Sequence, residues 1–528
     1  MSEGAIGQSA EATAAGTQQF RSQVGHISRQ SGVFFAGTIF TAAFGYAFKV
    51  YLARVLGAEA LGIYALGMTV VGLVGIFGGL GLTWAASRFP SVYGNAGRND
   101  DLRSFLVWSV LTLILVNGLF AFCVVVARRW ISTSLYHTPV LAGYLYLFAA
   151  IMFLGALTTF FAQLLTGYKE VARRTLIANI GGSLLTMVFT VVLVELGSGL
   201  WGYIFAQVLS AIVVLMLLVW ATHRLTPRAA RFSLRSIPPP PREMFSFASA
   251  AFAMDVVGFL YTQTDKVILG FYLNARMVGI YAVAATIVAF LPIALQSVNQ
   301  IFSPTIADLH ARGESALLNR LFQMLTKWIL GLTLPLAAVV VIFSRVLMRI
   351  FGHDFEVGWV ILVIGAVGQL VNCAVGSVGY LLLMSGNERR LVRVQLVTAV
   401  FTVSGCLLLV PRWGIAGAAV AAALGNAGSN VWCLWEVKRV LGLFPYNRGY
   451  WRLAVPAALS FASALGLRML LRPVRPDIFV VILTTVMVYG VFLGAVMLSG
   501  LEADDRLIAA AIWSRVRGFF PGAQAGAA

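Results

Sequence analysis

The sequence is short of charge, and this scarcity excludes most soluble folds. Only 11% of the 528 residues are Asp, Glu, Lys or Arg, whereas a typical soluble domain has about 25%. Hydrophobic residues make up 59% of the chain. Apolar runs of about 20 residues, the length of a bilayer-spanning helix, recur throughout. No polar interval is long enough to form a soluble domain, and the alternating pattern of a transmembrane β-barrel is absent. We therefore predict an all-α polytopic membrane protein.

The residues that usually carry catalysis or bind metals are also few. The four cysteines lie within apolar runs and show no metal-ligand spacing. The five histidines lie in tails or near span ends, and none pairs with another four residues away. No nucleotide-binding loop and no nucleophile motif occurs in the sequence. We therefore expect no catalytic residue, no metal and no cofactor, and a protein that is neither an enzyme nor an ATP-driven pump.

Hydropathy predicts fourteen transmembrane helices, with both termini on the cytoplasmic side. The predicted spans lie at about 31–53, 61–85, 104–127, 140–165, 175–196, 200–221, 245–269, 278–302, 322–344, 357–384, 392–410, 415–435, 452–471 and 478–499. The predicted cytoplasmic loops and tails carry 26 Lys and Arg residues and the outer loops carry 10, while Lys49 and Lys266 remain inside spans. This asymmetry follows the positive-inside rule. It explains the net charge of +18 by membrane orientation and anionic lipids rather than by nucleic acid.

One helix–turn–helix unit occurs twice. LGAEALGIYA begins at Leu56 and LGFYLNARMVGIYA at Leu269, and each joins two apolar runs. LLTGYKEVARR and LLMSGNERRLVR, and then GLWGYIFA and GIAGAAVA, follow in the same order at nearly the same offset. Six spans per half is an even number, so we expect two parallel repeats related by an axis along the membrane normal. We expect the Gly and Tyr of the repeated turn to pack rather than bind, and Gly75 and Gly79 to allow close helix approach.

These patterns divide the chain into six regions. Residues 1–30 form a cytoplasmic tail, 31–221 an N-terminal six-helix bundle, 222–243 a basic, Pro-rich cytoplasmic linker, 244–441 a C-terminal six-helix bundle, 450–499 two additional transmembrane helices, and 500–528 a cytoplasmic tail with an interfacial helix.

Charged side chains inside predicted spans are the main functional candidates. Near the centre of a spanning helix such a group costs about 2.5–3.5 kcal/mol, so it usually faces a cavity or a partner. Lys49 lies late in the first span, where we favour a cavity over snorkelling to the interface. Asp265 and Lys266 point about 100° apart on one helix, and structural pairing explains them as well as binding does. Amides more often bridge helices than bind substrate. The candidate substrate-binding residues are Lys49, Asp255, Asp265, Lys266, Gln296, Asn299 and Gln369.

Several of these stretches resemble one family. The repeated turn, Gln-Thr-Asp-Lys-Val-Ile-Leu-Gly from Gln263, Phe-Ser-Pro-Thr-Ile-Ala from Phe302, and Gly-Asn-Glu-Arg-Arg from Gly386 are similar to the polysaccharide-export branch, including O-antigen flippases, of the multidrug/oligosaccharidyl-lipid/polysaccharide exporter superfamily. The resemblance covers about 31–499. It implies two six-helix bundles around a cleft that opens alternately to either side of the bacterial inner membrane.

The implied substrate is a polyprenyl-diphosphate-linked oligosaccharide for surface polysaccharide synthesis, with Lys49 holding the diphosphate. Membrane lipids, and glycan polymerases or glycosyltransferases, are the implied partners. A lipid II-type flippase is one alternative, although the first span lacks a richer run of basic residues. An ion-coupled multidrug exporter, for which Asp255 would serve, is another. A membrane enzyme such as a glycan ligase is disfavoured because the outer loops are short.

Overall fold

The computed structural model describes residues 44–227, 230, 239, 242–470 and 478–498. These residues are almost all helical, and no strand occurs among them. The predicted tails 1–30 and 500–528, and most of the linker 222–243, lie outside the described residues.

The main helices are α1 (Phe44–Gly79), α2 (Leu82–Asn95), α3 (Asn99–Val126), α4 (Leu145–Gly167), α5 (Gly182–Leu193), α6 (Gly199–Leu225), α7 (Arg242–Tyr272), α8 (Ala275–Val288), α9 (Ile293–Ala311), α10 (Ser315–Ile342), α11 (Trp359–Val375), α12 (Val378–Met384), α13 (Glu388–Leu441), α14 (Ala454–Leu470) and α15 (Ile478–Leu498). Shorter helical turns are Arg128–Trp130, Ile131–Leu135, Pro139–Gly143, Val171–Arg174, Thr175–Gly181, Val194–Ser198, Ser344–Arg349, His353–Gly358 and Arg448–Leu453.

Ten helices of the described part are long and apolar enough to cross a membrane, and α8 with the start of α9, bent by 53°, is an eleventh candidate. Three of these helices are much longer than one crossing requires. Phe44–Gly79 has 36 residues, Val171–Leu225 has 55 and Glu388–Leu441 has 54. At 1.5 Å per residue, the two longest would extend about 80 Å, against a hydrocarbon core of about 30 Å.

Each of these long helices contains glycine in a backbone conformation that other residues avoid. Gly57 in α1 has φ 80°, Gly197 just before α6 and Gly199 at its first position have φ 85° and 52°, and Gly414 in α13 has φ 56°. The missing Cβ lets glycine adopt these positive φ values at little cost. The chain therefore changes direction at the places where the sequence predicts a boundary between two spans.

Contacts among the helices define two compact units. Of the described residues, the first contains those up to Leu56 together with Ile63–Phe259, and the second contains Gly57–Gly62 and those from Leu260 onward. α7 thus begins in the first unit and ends in the second. The division into bundles at 31–221 and 244–441 stays a prediction.

Each unit has its own apolar core. In the first unit, Phe89, Phe105 and Phe160 are buried, and successive ring centroids lie 5.5 and 6.2 Å apart. In the second unit, the core includes the fully buried Phe322 and Val437. The appended helices α14 and α15 pack against α10.

The second copy of the repeated turn packs against the first copy within the second unit. A Cβ on Gly62 would clash with the carbonyl oxygen of Ala275, and a Cβ on Gly279 would clash with the carbonyl oxygen of Ala58 and lie 2.7 Å from the backbone nitrogen of Gly62. Ala58 and Ala275, like Gly62 and Gly279, are 217 residues apart. The packing role predicted for these glycines is therefore correct.

Close approach was also expected at Gly75 and Gly79, and this expectation is wrong for the described residues. A Cβ added to either glycine would have no heavy atom within 4 Å among them. The GxxxG spacing alone does not determine which side of a helix meets a neighbour.

Candidate functional site

The first unit contains a cavity of about 460 Å³, here called the first cavity. Lys49 lines it from α1, and helices α4, α5 and α6 supply the rest of the wall, together with residues just before α5. The polar lining residues are Lys49, Thr158, Thr159, Ser183, Thr186, Tyr203, Gln207 and Ser210. Among the described residues, this wall contains one ionisable cation and no carboxylate.

Two polar atoms of this wall are buried without a hydrogen-bond partner among the described residues: Oγ1 of Thr158 and Nε2 of Gln207. The other amide atom of Gln207, Oε1, accepts a hydrogen bond from Oη of Tyr64 at 3.2 Å. That bond fixes which end of the amide remains available. Buried polar atoms are usually paired, so the lack of a partner among the described residues makes the Thr158 hydroxyl and the Gln207 NH₂ candidates for hydrogen-bonding a ligand oxygen.

The second unit contains a cavity of about 390 Å³, here called the second cavity. Asp265 accepts a hydrogen bond of 2.6 Å from Oη of Tyr281 and one of 2.8 Å from the backbone nitrogen of Lys266. The Lys266 ammonium donates to Oε1 of Gln263 at 2.7 Å. The two charged side chains thus have different partners, as their helical spacing predicts. Gln369 also lines the cavity and accepts a hydrogen bond from Asn372 at 2.9 Å.

The two cavities use corresponding positions of the repeated sequence. Lys49 and Lys266 are 217 residues apart, and so are Tyr64 and Tyr281. In each unit the Lys lines the cavity, and the Tyr hydroxyl donates to a residue of the cavity wall. The Tyr of the repeated turn therefore packs and also orients a residue of the cavity wall, and the expectation that it does not itself bind substrate stays a prediction.

The other predicted site residues lie elsewhere. Asp255 accepts a hydrogen bond of 2.9 Å from the indole nitrogen of Trp84 and lines neither cavity. Gln296 is exposed and Asn299 is buried on α9, and neither belongs to the two cavity walls. The structure thus brings together Asp265, Lys266 and Gln369, and it places Lys49 in a separate cavity. In the described part of the chain, no three His, Cys, Asp or Glu side chains are grouped to hold a metal ion.

Comparison with known proteins identifies relatives in sequence and in fold. The sequence profile of a family described as polysaccharide biosynthesis protein matches residues 27–310, which is more than half of the chain. The probable low-salt glycan biosynthesis flippase Agl15 of Haloferax volcanii is 22% identical over 215 residues, which is 40% of this chain. The match spans only 45% of that flippase.

Two solved structures share the fold. The lipid II flippase MurJ in an inward closed conformation matches with a TM-score of 0.67 and 14% identity, over 87% of this chain and 97% of that one. An inward-facing multidrug resistance MATE family transporter of the MOP superfamily matches with a TM-score of 0.61 and 15% identity, over 76% and 94% of the two chains.

Proposed function

Because this chain belongs to the polysaccharide biosynthesis protein family, we propose that it translocates a polyprenyl-diphosphate-linked oligosaccharide across the membrane by alternating access. The resemblance seen in the sequence is confirmed at the level of the family. The named relatives include flippases and a transporter, which agrees with a protein that moves its substrate without covalent chemistry.

The first cavity is the observation that carries this proposal. Its wall combines the Lys49 ammonium with the two buried polar groups of Thr158 and Gln207 that have no partner among the described residues. A cation in a poorly screened cavity attracts an anionic group strongly, and hydrogen bonds to charged groups are about twice as strong as neutral ones. A diphosphate offers the negative charge and the acceptor oxygens that such a wall can bind.

The proposed architecture has fourteen spans in two parallel six-helix bundles, followed by two additional helices. Dividing the three long helices at Gly57, Gly197–Gly199 and Gly414 converts the eleven candidate crossings into fourteen. The shared spacing of 217 residues between corresponding cavity residues supports the duplication. We place both termini in the cytoplasm from the distribution of Lys and Arg, and the protein in a bacterial inner membrane. Glycan polymerases or glycosyltransferases are the proposed partners.

One observation favours a second candidate, an ion-coupled exporter of the same superfamily. Asp265 is a carboxylate in the second cavity, hydrogen-bonded to Tyr281, and intramembrane carboxylates often serve ion or proton transport. A lipid II-type flippase is a further alternative because the fold of this chain is similar to that of MurJ. The described wall of the first cavity contains a cation and no acid, and for this reason we place the anionic lipid-linked glycan ahead of cationic drugs.

The test removes the Lys49 charge and measures translocation directly. The protein is reconstituted into vesicles with a fluorescent polyprenyl-diphosphate-linked sugar, and its appearance in the opposite leaflet is timed. We expect Lys49→Ala to slow translocation about tenfold or more, because a hydrogen bond to a charged group contributes about 1.5–3 kcal/mol. Lys49→Arg, which retains the charge, should keep most of the rate. Gln207→Leu, which removes one of the two unpaired donors, should also slow it.

Lys266→Ala removes the corresponding Lys from the second cavity, and a smaller effect than that of Lys49→Ala would assign diphosphate binding to the first cavity. Equal translocation rates for Lys49→Ala and the unsubstituted protein would refute the assigned role of Lys49. A protein that exports cationic drugs but leaves the lipid-linked sugar in place would instead support the second candidate.

A further inference from the structure

The last turns of α6 and α13 share a side-chain pattern outside both cavities. Trp220 precedes Arg224 in α6, and Trp435 precedes Arg439 in α13. The guanidinium carbon of Arg224 lies 4.1 Å from the Trp220 ring centroid, and that of Arg439 lies 5.3 Å from the Trp435 ring. Both are cation–π contacts, which hold the planar guanidinium against the indole.

The pattern continues one turn back along each helix. Met216 lies four residues before Trp220, and Val431 lies four residues before Trp435. Side chains four residues apart lie one above the other on a helix. Each face therefore presents, in order towards the helix end, an apolar side chain, an indole and a guanidinium.

These side chains are turned away from the interior of their units. Met216 and Trp220 are 66% and 55% exposed, and Val431 and Trp435 are 52% and 53% exposed. Within the described part of the chain, Arg224 and Arg439 take part in no salt bridge or side-chain hydrogen bond. None of the described residues therefore occupies their N–H groups.

Because the sequence is duplicated, the residues of one face can be compared with those of the other. All three positions of one face correspond to those of the other at a single spacing of 215 residues. Between the Trp and the Arg, the residues differ completely, with Ala-Thr-His in one copy and Glu-Val-Lys in the other. The Trp and the Arg have stayed the same while their neighbours changed, which indicates that this pair has a common role.

We propose that Met216–Trp220–Arg224 and Val431–Trp435–Arg439, the two lipid faces, are equivalent binding sites for the headgroup of an anionic phospholipid. The order of groups matches such a lipid, with an acyl chain beside Met216 or Val431, the glycerol region beside the indole, and the phosphate at the guanidinium. Indoles favour this boundary between hydrocarbon and water. A free phosphate would use the Arg but leave the exposed indole and the apolar side chain unmatched.

Both faces lie at helix ends that the sequence predicts to be cytoplasmic, where anionic lipids and basic residues meet. Lys438, next to Arg439 in the sequence, points about 100° away from it on α13, and its ammonium lies 4.9 Å from the Phe444 ring centroid. A cation in the last turn also offsets the negative end of the helix dipole. That role alone would give no preference among lipids, so the two explanations predict different results. The proposal does not depend on the transported substrate.

The test uses the full chain reconstituted in phosphatidylcholine vesicles that contain a small fraction of brominated phosphatidylglycerol or, in parallel, brominated phosphatidylcholine. Bromine quenches nearby Trp fluorescence, so stronger quenching by the anionic lipid reports its enrichment. About 1 kcal/mol per basic residue near an anionic surface corresponds to about fivefold enrichment. We expect the unsubstituted protein to show such an excess, and Trp220→Phe with Trp435→Phe to remove most of it.

The decisive variants change only the cations. Arg224→Gln and Arg439→Gln should each remove about half of the excess quenching, and the double variant nearly all of it. Arg389→Gln is the matched control, because Arg389 is exposed on the same predicted side and has no aromatic partner among the described residues. Helical circular dichroism checks that each variant is folded. Equal quenching by the two brominated lipids, or an equal loss in Arg389→Gln, would overturn the proposal.

Discussion

Substituting Gly62 by Ala tests the contact between the two copies of the repeated turn. The added methyl group would overlap the carbonyl oxygen of Ala275, with the Ala275 Cα at 3.1 Å. Both obstacles are backbone atoms, so no side chain can rotate away and the helices must separate. Overpacking of this kind typically costs about 1–3 kcal/mol. The higher helix propensity of Ala stabilises the folded state by about 0.5–1 kcal/mol relative to Gly, and this offsets part of the loss. Taking the middle of both ranges, we expect a net loss of about 1 kcal/mol.

Gly75→Ala provides the control within the same helix. The added methyl group meets no heavy atom within 4 Å of the described structure, so only the propensity gain remains. The assay is thermal unfolding in one mild detergent, followed by helical circular dichroism. Gly62→Ala should lower the apparent midpoint, and Gly75→Ala should leave it unchanged or raise it. If both variants shift the midpoint in the same direction by similar amounts, the close contact between Gly62 and Ala275 does not limit helix packing, and the reasoning is refuted.

The double variant Gly62→Ala/Gly279→Ala sharpens this test. Gly279 approaches the backbone of Ala58 and of Gly62 itself, so one separation of the helices relieves both overlaps. Substitutions that share a contact are not additive. The second substitution should therefore cost clearly less than it does alone, whereas a simple sum of the two losses would show that the sites are independent.

Two further predictions concern polar contacts of the second unit. Arg390→Ala removes the partner of Glu436, bound at 2.8 Å with side-chain exposures of 39% and 8%. Breaking a buried pair costs about 3–5 kcal/mol, which the partial exposure of Arg390 reduces to about 1–3 kcal/mol. The Arg390→Met/Glu436→Leu double variant should recover most of the unfolding midpoint, and failure to recover would mean that the charge left on Glu436 is not the cause. Tyr281→Phe deletes the 2.6 Å donor to Asp265 and should cost about 1.5–3 kcal/mol. It should cost much less in an Asp265→Leu background, and equal losses in both backgrounds would contradict the bond.

The sequence was sufficient for those features that depend on a short local rule. Apolar runs of about 20 residues predict spanning helices, and the structure has ten or eleven candidates. The predicted boundaries before 200 and 415 coincide with Gly199 and Gly414, where positive φ interrupts the helix. The spacing of Asp265 and Lys266 also predicts correctly that they have different partners.

Features that depend on the rotation of a helix about its axis could not be predicted from the sequence. Gly75 and Gly79 have a spacing suited to close packing, yet the glycines of that helix with described atoms tightly against them are Gly62, Gly67 and Gly78. Spacing tells which residues share a face, and the neighbours of that face are set by tertiary packing. The same limit explains why Asp255, a candidate for a cavity, instead pairs with Trp84.

The repeated turn connects these two kinds of result. Its glycines lie where the two copies meet, and its tyrosines, two residues further along each helix, hydrogen-bond to residues of the cavity walls. Gly62 and Tyr64 are two residues apart, so they point in different directions from the same helix. A change in the distance between the helices at Gly62 would therefore rotate or shift the Tyr64 hydroxyl, which donates a hydrogen bond to the Gln207 amide. Packing at the turn and the orientation of a polar group in the first cavity are thus linked through one turn of α1, which is a physical reason for both residues to recur in the second copy.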